Sequence, residues 1–214
     1  MAGPVKRPYD GTRRQEQARR TRARIVGAAT RLFEEQGYGA TSIAAVAAAA
    51  EVSPQTIYAA FGSKPALLGA AIDVALAGDD EPIPVFDREG SQAAVGAPTP
   101  ADAARAFARS ATAVLARAGR IVAAADAAAQ TDPELMAMCI GGHQGRYQDF
   151  QRTAQAFEAA GFLRAGLTAD GAADLMWALA SPDSYRAFTV IRSWTTEQFE
   201  AWLVDAVGRS VLGT

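Results

Sequence analysis

Gly37-Tyr38-Gly39-Ala40-Thr41-Ser42-Ile43, followed by Val46-Ala47, Ala50-Glu51-Val52-Ser53-Pro54-Gln55-Thr56-Ile57-Tyr58 and Phe61-Gly62-Ser63-Lys64, is the stretch on which the fold turns. Thr41 and Ser42 carry short side-chain acceptors just ahead of the apolar positions Ile43, Val46 and Ala47, so a short helix opens there and runs to about Ala50. Glu51-Val52-Ser53 is a tight turn. Ser53 followed by Pro54 is an N-cap with proline at the first helical position, where a missing N–H costs nothing. The helix it opens reaches about Phe61. Gly62 stops it, and Ser63 caps the next. Upstream, Ile25, Ala28, Ala29, Leu32 and Phe33 recur at i, i+3, i+4, i+7 and i+8, the apolar face of a longer helix from about Thr12 that Gly37 ends.

Working outward, the pattern remains helical, with no convincing strand. A helix to about Ala77 is followed by Gly78 to Pro98, which holds Pro82, Pro84, Gly90 and Gly96 and reads as a long loop. Helices are then expected at about 99–118, 120–130 (separated by Gly119), 133–160, 169–180, 182–193 and 196–212, ten in all. Met1 to about Gly11 carries Gly3, Pro4, Pro8 and Gly11 and reads as disordered.

The composition sets bounds on function. The chain has 214 residues, is 50% hydrophobic and 21% charged, and has net charge −2; its mean hydropathy is −0.01. This is a globular composition. A single Cys and a single His exclude an intramolecular disulfide and any zinc site made of Cys and His alone. No apolar run is long enough for a membrane span, and no apolar stretch follows Lys6 and Arg7 as a secretory signal requires. The cytoplasm is the expected compartment, without a membrane partner. No phosphate loop, HExxH, nucleophile elbow or spaced His/Cys/carboxylate set is present, so neither an enzyme nor a cofactor is expected.

Charge is divided unevenly. Residues 1–64 hold ten Lys and Arg against five Asp and Glu; residues 65–214 hold eleven against eighteen. A basic end on an acidic body suits nucleic acid or an anionic membrane at that end. Two short helices joined by a tight turn, behind a longer amphipathic one, describe a helix-turn-helix whose second helix enters the major groove. Periodicity alone equally describes an ordinary three-helix bundle.

The residues themselves settle that choice by likeness. The stretch from Gly37 to Leu67 resembles the TetR family of transcriptional regulators, whose pattern is G-Y-x-x-T-[ST]-V-x-x-I-A-x-x-A-G-V-S-x-x-T-L-Y-x-[HY]-F-x-S-K-x-x-L. The likeness is strong over residues 12–68; beyond it, Ser181-Pro182-Asp183-Ser184-Tyr185-Arg186 is similar to a segment of many family members. Glu51 departs from the pattern where Gly is usual, and Ala60 where His or Tyr is usual.

The resemblance implies an all-α fold: an N-terminal helix-turn-helix DNA-binding domain over 12–65 and a C-terminal helical ligand-binding and dimerisation domain over 66–214. It implies a dimeric repressor that binds double-stranded operator DNA and is released by a small apolar or aromatic effector. The alternative is an architectural DNA-binding protein without an effector. Candidate DNA contacts are Arg24, Thr41, Ser42, Ser53, Pro54, Gln55, Thr56, Tyr58 and Lys64. Gln55 has the amide geometry to read adenine; Tyr58 and Lys64 suit phosphate. Arg20 and Arg22 join Arg24 as arm candidates. Candidate effector contacts are Phe107, Met136, Cys139, His143, Tyr147, Phe150 and Trp177. The homodimer interface is expected on the helices at 169–180 and 182–193, with Phe188 on it.

Overall fold

The structure is a computed structural model that describes residues 11–213, with side chains from Arg13 onward. The disordered leader expected before Gly11, with Lys6 and Arg7, lies outside the described residues. Among the described residues every regular element is helical: α1 (Gly11–Ala40), α2 (Ile43–Ala49), α3 (Pro54–Phe61), α4 (Lys64–Ala77), α5 (Glu89–Val95), α6 (Pro100–Ala129), α7 (Pro133–Ala159), α8 (Ala169–Leu179), α9 (Pro182–Arg186) and α10 (Thr196–Val207). A single 3₁₀ turn, Val85–Asp87, precedes α5, and π-helical turns extend α9 through Ile191 and α10 through Leu212.

The caps follow side-chain chemistry. Ser42, Ser53, Ser63, Thr99, Asp132, Thr168, Ser181 and Thr195 each accept a hydrogen bond from the first turn of the helix they open, worth about 1 kcal/mol apiece. Gly37, at φ +79° and ψ 166°, breaks the helical path of α1. An L-residue rarely adopts that conformation, so the glycine is what turns the chain toward α2.

The expected helix count is met through two compensating differences. Gly119 does not divide 99–130; α6 runs unbroken through it, because a lone interior glycine weakens a helix by only about 1 kcal/mol and packing on both sides outweighs that. The expected loop at 78–98 contains α5, which lies so close to α6 that a Cβ on Gly90 would sit 2.9 Å from Ser110 Oγ. Arg88 holds the approach to α5 in place: its guanidinium grips Asp79 at 2.6 and 2.8 Å and donates to the Ile83 carbonyl.

Two apolar clusters organise the molecule. The first joins Ile25, Ala29 and Phe33 of α1, Val46 and Ala47 of α2, Ile57 of α3 and Leu67, Leu68 and Ala71 of α4. It continues into Ile121 and Ala125 of α6 and Leu135 of α7. Each large side chain buried there contributes about 1.5–3 kcal/mol. The second cluster is the core of the body: Phe107, Phe157, Met176, Phe199, Leu203 and Val211 with their neighbours. Helix α4 therefore belongs to the head by its core contacts, and Arg117 of α6 holds its last turn by donating to the carbonyls of Ala75 and Leu76.

Candidate nucleic-acid interface and body cavity

The turn between α2 and α3 is closed by Glu51 at φ +53°. This is the left-handed conformation that the resemblance assigns to glycine, and Glu51 adopts it with its Cβ in place. Its carboxylate stands 3.8 Å from Arg24 Nη1. Beyond the turn, Ser53 Oγ accepts from the Thr56 N–H and lies 2.9 Å from Thr56 Oγ1. These two hydroxyls pair with each other at the N-terminus of α3. Ser42, Gln55, Tyr58, Ala59 and Ala60 are exposed, whereas Ile57 faces the core. The outer face of α2 is made of Ala44, Ala45, Ala48 and Ala49, a smooth surface against which a phosphate backbone can approach closely.

Three expected residues are used inside the protein. Thr41 is buried, and its hydroxyl donates to the carbonyls of Gly37 and Leu32 at 2.8 and 3.1 Å. A side-chain contact from Thr41 to DNA is thus not available in this conformation; the hydroxyl instead secures the α1–α2 corner, and Ser42 is the cap. Lys64 Nζ donates to the Tyr38 carbonyl at 2.5 Å and lies 4.0 Å above the Tyr38 ring. Burial lowers its pKa from the usual lysine value. Arg22 Nη1 donates to the Ala60 carbonyl, and its guanidinium rests 4.3 Å over Phe61, so it holds the C-terminal end of α3. Of the other arm candidates, Arg20 pairs with Glu16 at 3.0 Å.

The body contains a cavity of about 440 Å³ between α4, α5, α6 and α7, within the range of small-molecule sites. Phe107 of α6 and Cys139, His143 and Phe150 of α7, four of the seven candidate effector contacts, line it. Met136, Tyr147 and Trp177 do not. Met136 sits about one turn toward the head and packs on the first cluster. The Tyr147 hydroxyl donates to Asp174 at 3.0 Å. Trp177 meets the outer edge of His143 and the Arg146 guanidinium, 4.8 Å away. Helical spacing placed five of the seven on one face of α7, but Met136 lies near its head end and Tyr147 turns to Asp174 of α8, while Trp177 stands on α8 itself.

The lining also holds groups that periodicity did not single out: Asp73, Phe86, Asp126, Arg146 and Asp149. They lie on four different helices or turns, so no local signal joins them. His143 Nε2 and Asp126 Oδ1 are 3.1 Å apart. The Cys139 thiol is pushed up to about 11 by burial and by Asp126, which keeps it protonated and unreactive. Arg146 Nη1 donates to the carbonyls of Trp177 and Ala180, closing the end of α8. Burial lowers its pKa to about 10, and its Nε is buried without a hydrogen-bond partner.

Residues 25–71 match the family of bacterial regulatory proteins, tetR family. The match is confined to the helix-turn-helix end of the chain. The matched segment holds α2, α3 and the first half of α4, with the apolar face of α1. No curated protein sequence matches the chain. Among solved structures, NalD, the secondary repressor of the MexAB-OprM multidrug efflux pump in Pseudomonas aeruginosa, is 20% identical. The likeness covers 91% of this chain and 98% of NalD, with a TM-score of 0.68. A TetR transcriptional regulator from Chloroflexus aurantiacus is 22% identical over 92% of this chain and 98% of that one, with a TM-score of 0.67. A protein from Saccharomonospora viridis in complex with choline is 19% identical over 91% and 98%, with a TM-score of 0.70. The family match covers residues 25–71 of the 214, and beyond it the likeness to the solved structures is, at these identities, one of fold. No single helix among the described residues is long and apolar enough to cross a membrane.

Proposed function

We propose that this chain is a transcriptional regulator of the TetR kind, a homodimeric repressor whose hold on operator DNA is released by a small apolar or aromatic effector bound in the body cavity. One observation carries the reading: α4 lines the cavity through Gly69, Ile72, Asp73 and Leu76 and packs the head's core through Leu67, Leu68 and Ala71. One helix thus feels both sites. The expected boundary between a head of 12–65 and a body of 66–214 falls inside α4, which packs the head's core and lines the body's cavity and so is the lever between them. The cavity also argues against an architectural protein with no effector, which has no use for a hollow body. NalD is a repressor, and the Saccharomonospora viridis protein holds a small molecule; both support the reading by analogy of fold.

On DNA, Ser42, Ser53, Pro54, Thr56 and Tyr58 approach the backbone from the N-terminal ends and outer face of α2 and α3. Arg24 and Lys64 supply charge, and Gln55 is the base reader. With alanine at 59 and 60, further specificity comes from DNA shape. The effector rests on Phe107, Cys139, His143 and Phe150. A ligand shifts operator affinity only by its differential affinity for two arrangements of the heads, typically about 1–3 kcal/mol, or 5- to 150-fold.

The test begins with a duplex selected from random DNA by the protein itself. Lys64→Ala weakens binding to all sequences alike and reduces the salt slope by about one unit. A loss confined to one base position refutes the phosphate role. A lower melting temperature with an unchanged slope leaves Lys64 only its hold on Tyr38.

A further inference from the structure

Three carboxylates, Asp73, Asp126 and Asp149, face a cavity whose remaining walls are largely apolar, with Phe86, Phe107 and Phe150 among them. Two of the three are partnered. Asp126 pairs with His143 at 3.1 Å, and Asp149 lies 3.8 Å from Arg152 Nη1. No hydrogen bond or ion pair among the described residues reaches Asp73; the cation whose field it feels is Arg22. Arg146 does not balance the cavity, because its charge is turned to the carbonyls at the end of α8 and to the Trp177 and Phe150 rings.

We infer that the cavity takes a cationic amphiphile, an aromatic or bulky apolar group carrying one protonated amine, with Asp73 as its counter-ion. The inference rests on the reading of this cavity as the effector site and narrows its ligand class. Asp73 is exposed and is the one of the three carboxylates that no side chain partners, so a ligand can reach its charge. A bound ammonium group gives Asp73 the partner it lacks, and the phenylalanine faces add cation–π attraction. The apolar part of the ligand fills the aliphatic and aromatic remainder.

The placement of Asp73 gives the ligand a route to DNA. Asp73 stands on α4, whose Leu67, Leu68 and Ala71 pack against Ile57 of the reading helix and the rest of the head's core. The reading helix is thereby coupled to occupancy.

The test uses three shape-matched probes in calorimetric titrations of the full chain: 1-naphthylmethylammonium, neutral 1-naphthylmethanol and anionic 1-naphthoate. The cation is expected to bind at least tenfold more tightly than the alcohol, and the anion most weakly. Asp73→Asn brings the cation down to the level of the alcohol, whereas Asp73→Glu retains the preference. Equal binding of the three probes overturns the inference alone, as does a preference that survives Asp73→Asn. Tighter binding of the anion also overturns it and assigns the unpartnered Nε of Arg146 as the ligand contact. If no probe binds in any charge state, the reading of the cavity as the effector site falls with it.

Discussion

Glu51 shows how one residue can carry a cost that the surrounding fold tolerates. It holds φ +53° in the turn between α2 and α3, where an L-residue is strained by about 1–2 kcal/mol. Glycine removes that strain but widens the unfolded ensemble, which offsets about 0.4–1 kcal/mol. Glu51→Gly is therefore expected to stabilise the protein by about 0.5 kcal/mol, read from denaturant midpoints. The same change removes a negative charge 3.8 Å from Arg24, so nonspecific DNA affinity at low salt rises as well. A destabilised variant shows that the carboxylate does more in the turn than its exposed geometry indicates. Thr41 is the opposite case: its type matched the family pattern, yet its hydroxyl serves the corner and not the surface.

At the scale of elements, two glycines in similar sequence surroundings have opposite roles. Gly119 lies inside α6, and a Cβ there meets Tyr185 Cδ1 at an ordinary 3.6 Å. Gly119→Ala should stabilise the protein by roughly 0.5–1 kcal/mol through helix propensity. Gly90 lies where α5 presses on α6, and a Cβ there meets Ser110 Oγ at 2.9 Å. Gly90→Ala should destabilise α5, seen as faster amide exchange over 85–96. The segment before α5 also answers to pH. Asp79 is held down at about 2, first by its hydrogen bonds from the Arg88 side chain and then by the Glu81 N–H. Its folded pKa lies below its ordinary 3.8, so its contribution is complete above about pH 4 and is lost as pH falls toward 2. Asp79→Asn is expected to melt below wild type at pH 7, with the gap closing between pH 4 and 2. A gap independent of pH removes Asp79 as its cause.

For the whole molecule, the proposed homodimer has a candidate seam in the surface left apolar. Phe188 is not the exposed residue expected of an interface. It stacks on Trp194 at 4.4 Å and meets Trp202 at 4.6 Å within its own chain. Val190 and Ile191, each 65% exposed, are its outward-facing neighbours, and Trp177 on α8 is also exposed. Val190→Asp combined with Ile191→Asp is expected to give monomers in sedimentation with the helical circular dichroism retained. Operator affinity should fall with dimerisation, because two heads must span about 34–36 Å, one turn of DNA, or a multiple of it. A dimeric double variant places the interface elsewhere. Phe188→Asp, in contrast, should unfold the aromatic cluster and cannot serve as the test.

Local chemistry determined most of the elements by itself. Serine and threonine caps, Pro at first helical positions and Gly37 or Gly62 at ends act within one turn of chain, so they are legible without knowing the fold. The helix-turn-helix was legible for the same reason: its motif is continuous over residues 37–67. Tertiary structure alone decided the rest. Gly119 stays helical because α6 is supported along both sides, and 89–95 becomes helical because Gly90 admits a close approach to a helix more than ten residues away. The cavity was half legible. Phe107, Cys139, His143 and Phe150 lie on apolar faces that periodicity reveals, whereas Asp73, Asp126 and Arg146 come together from separate helices. Their meeting depends on how α4, α6 and α7 cross, and that is settled by packing summed over both clusters, not by any single stretch of chain.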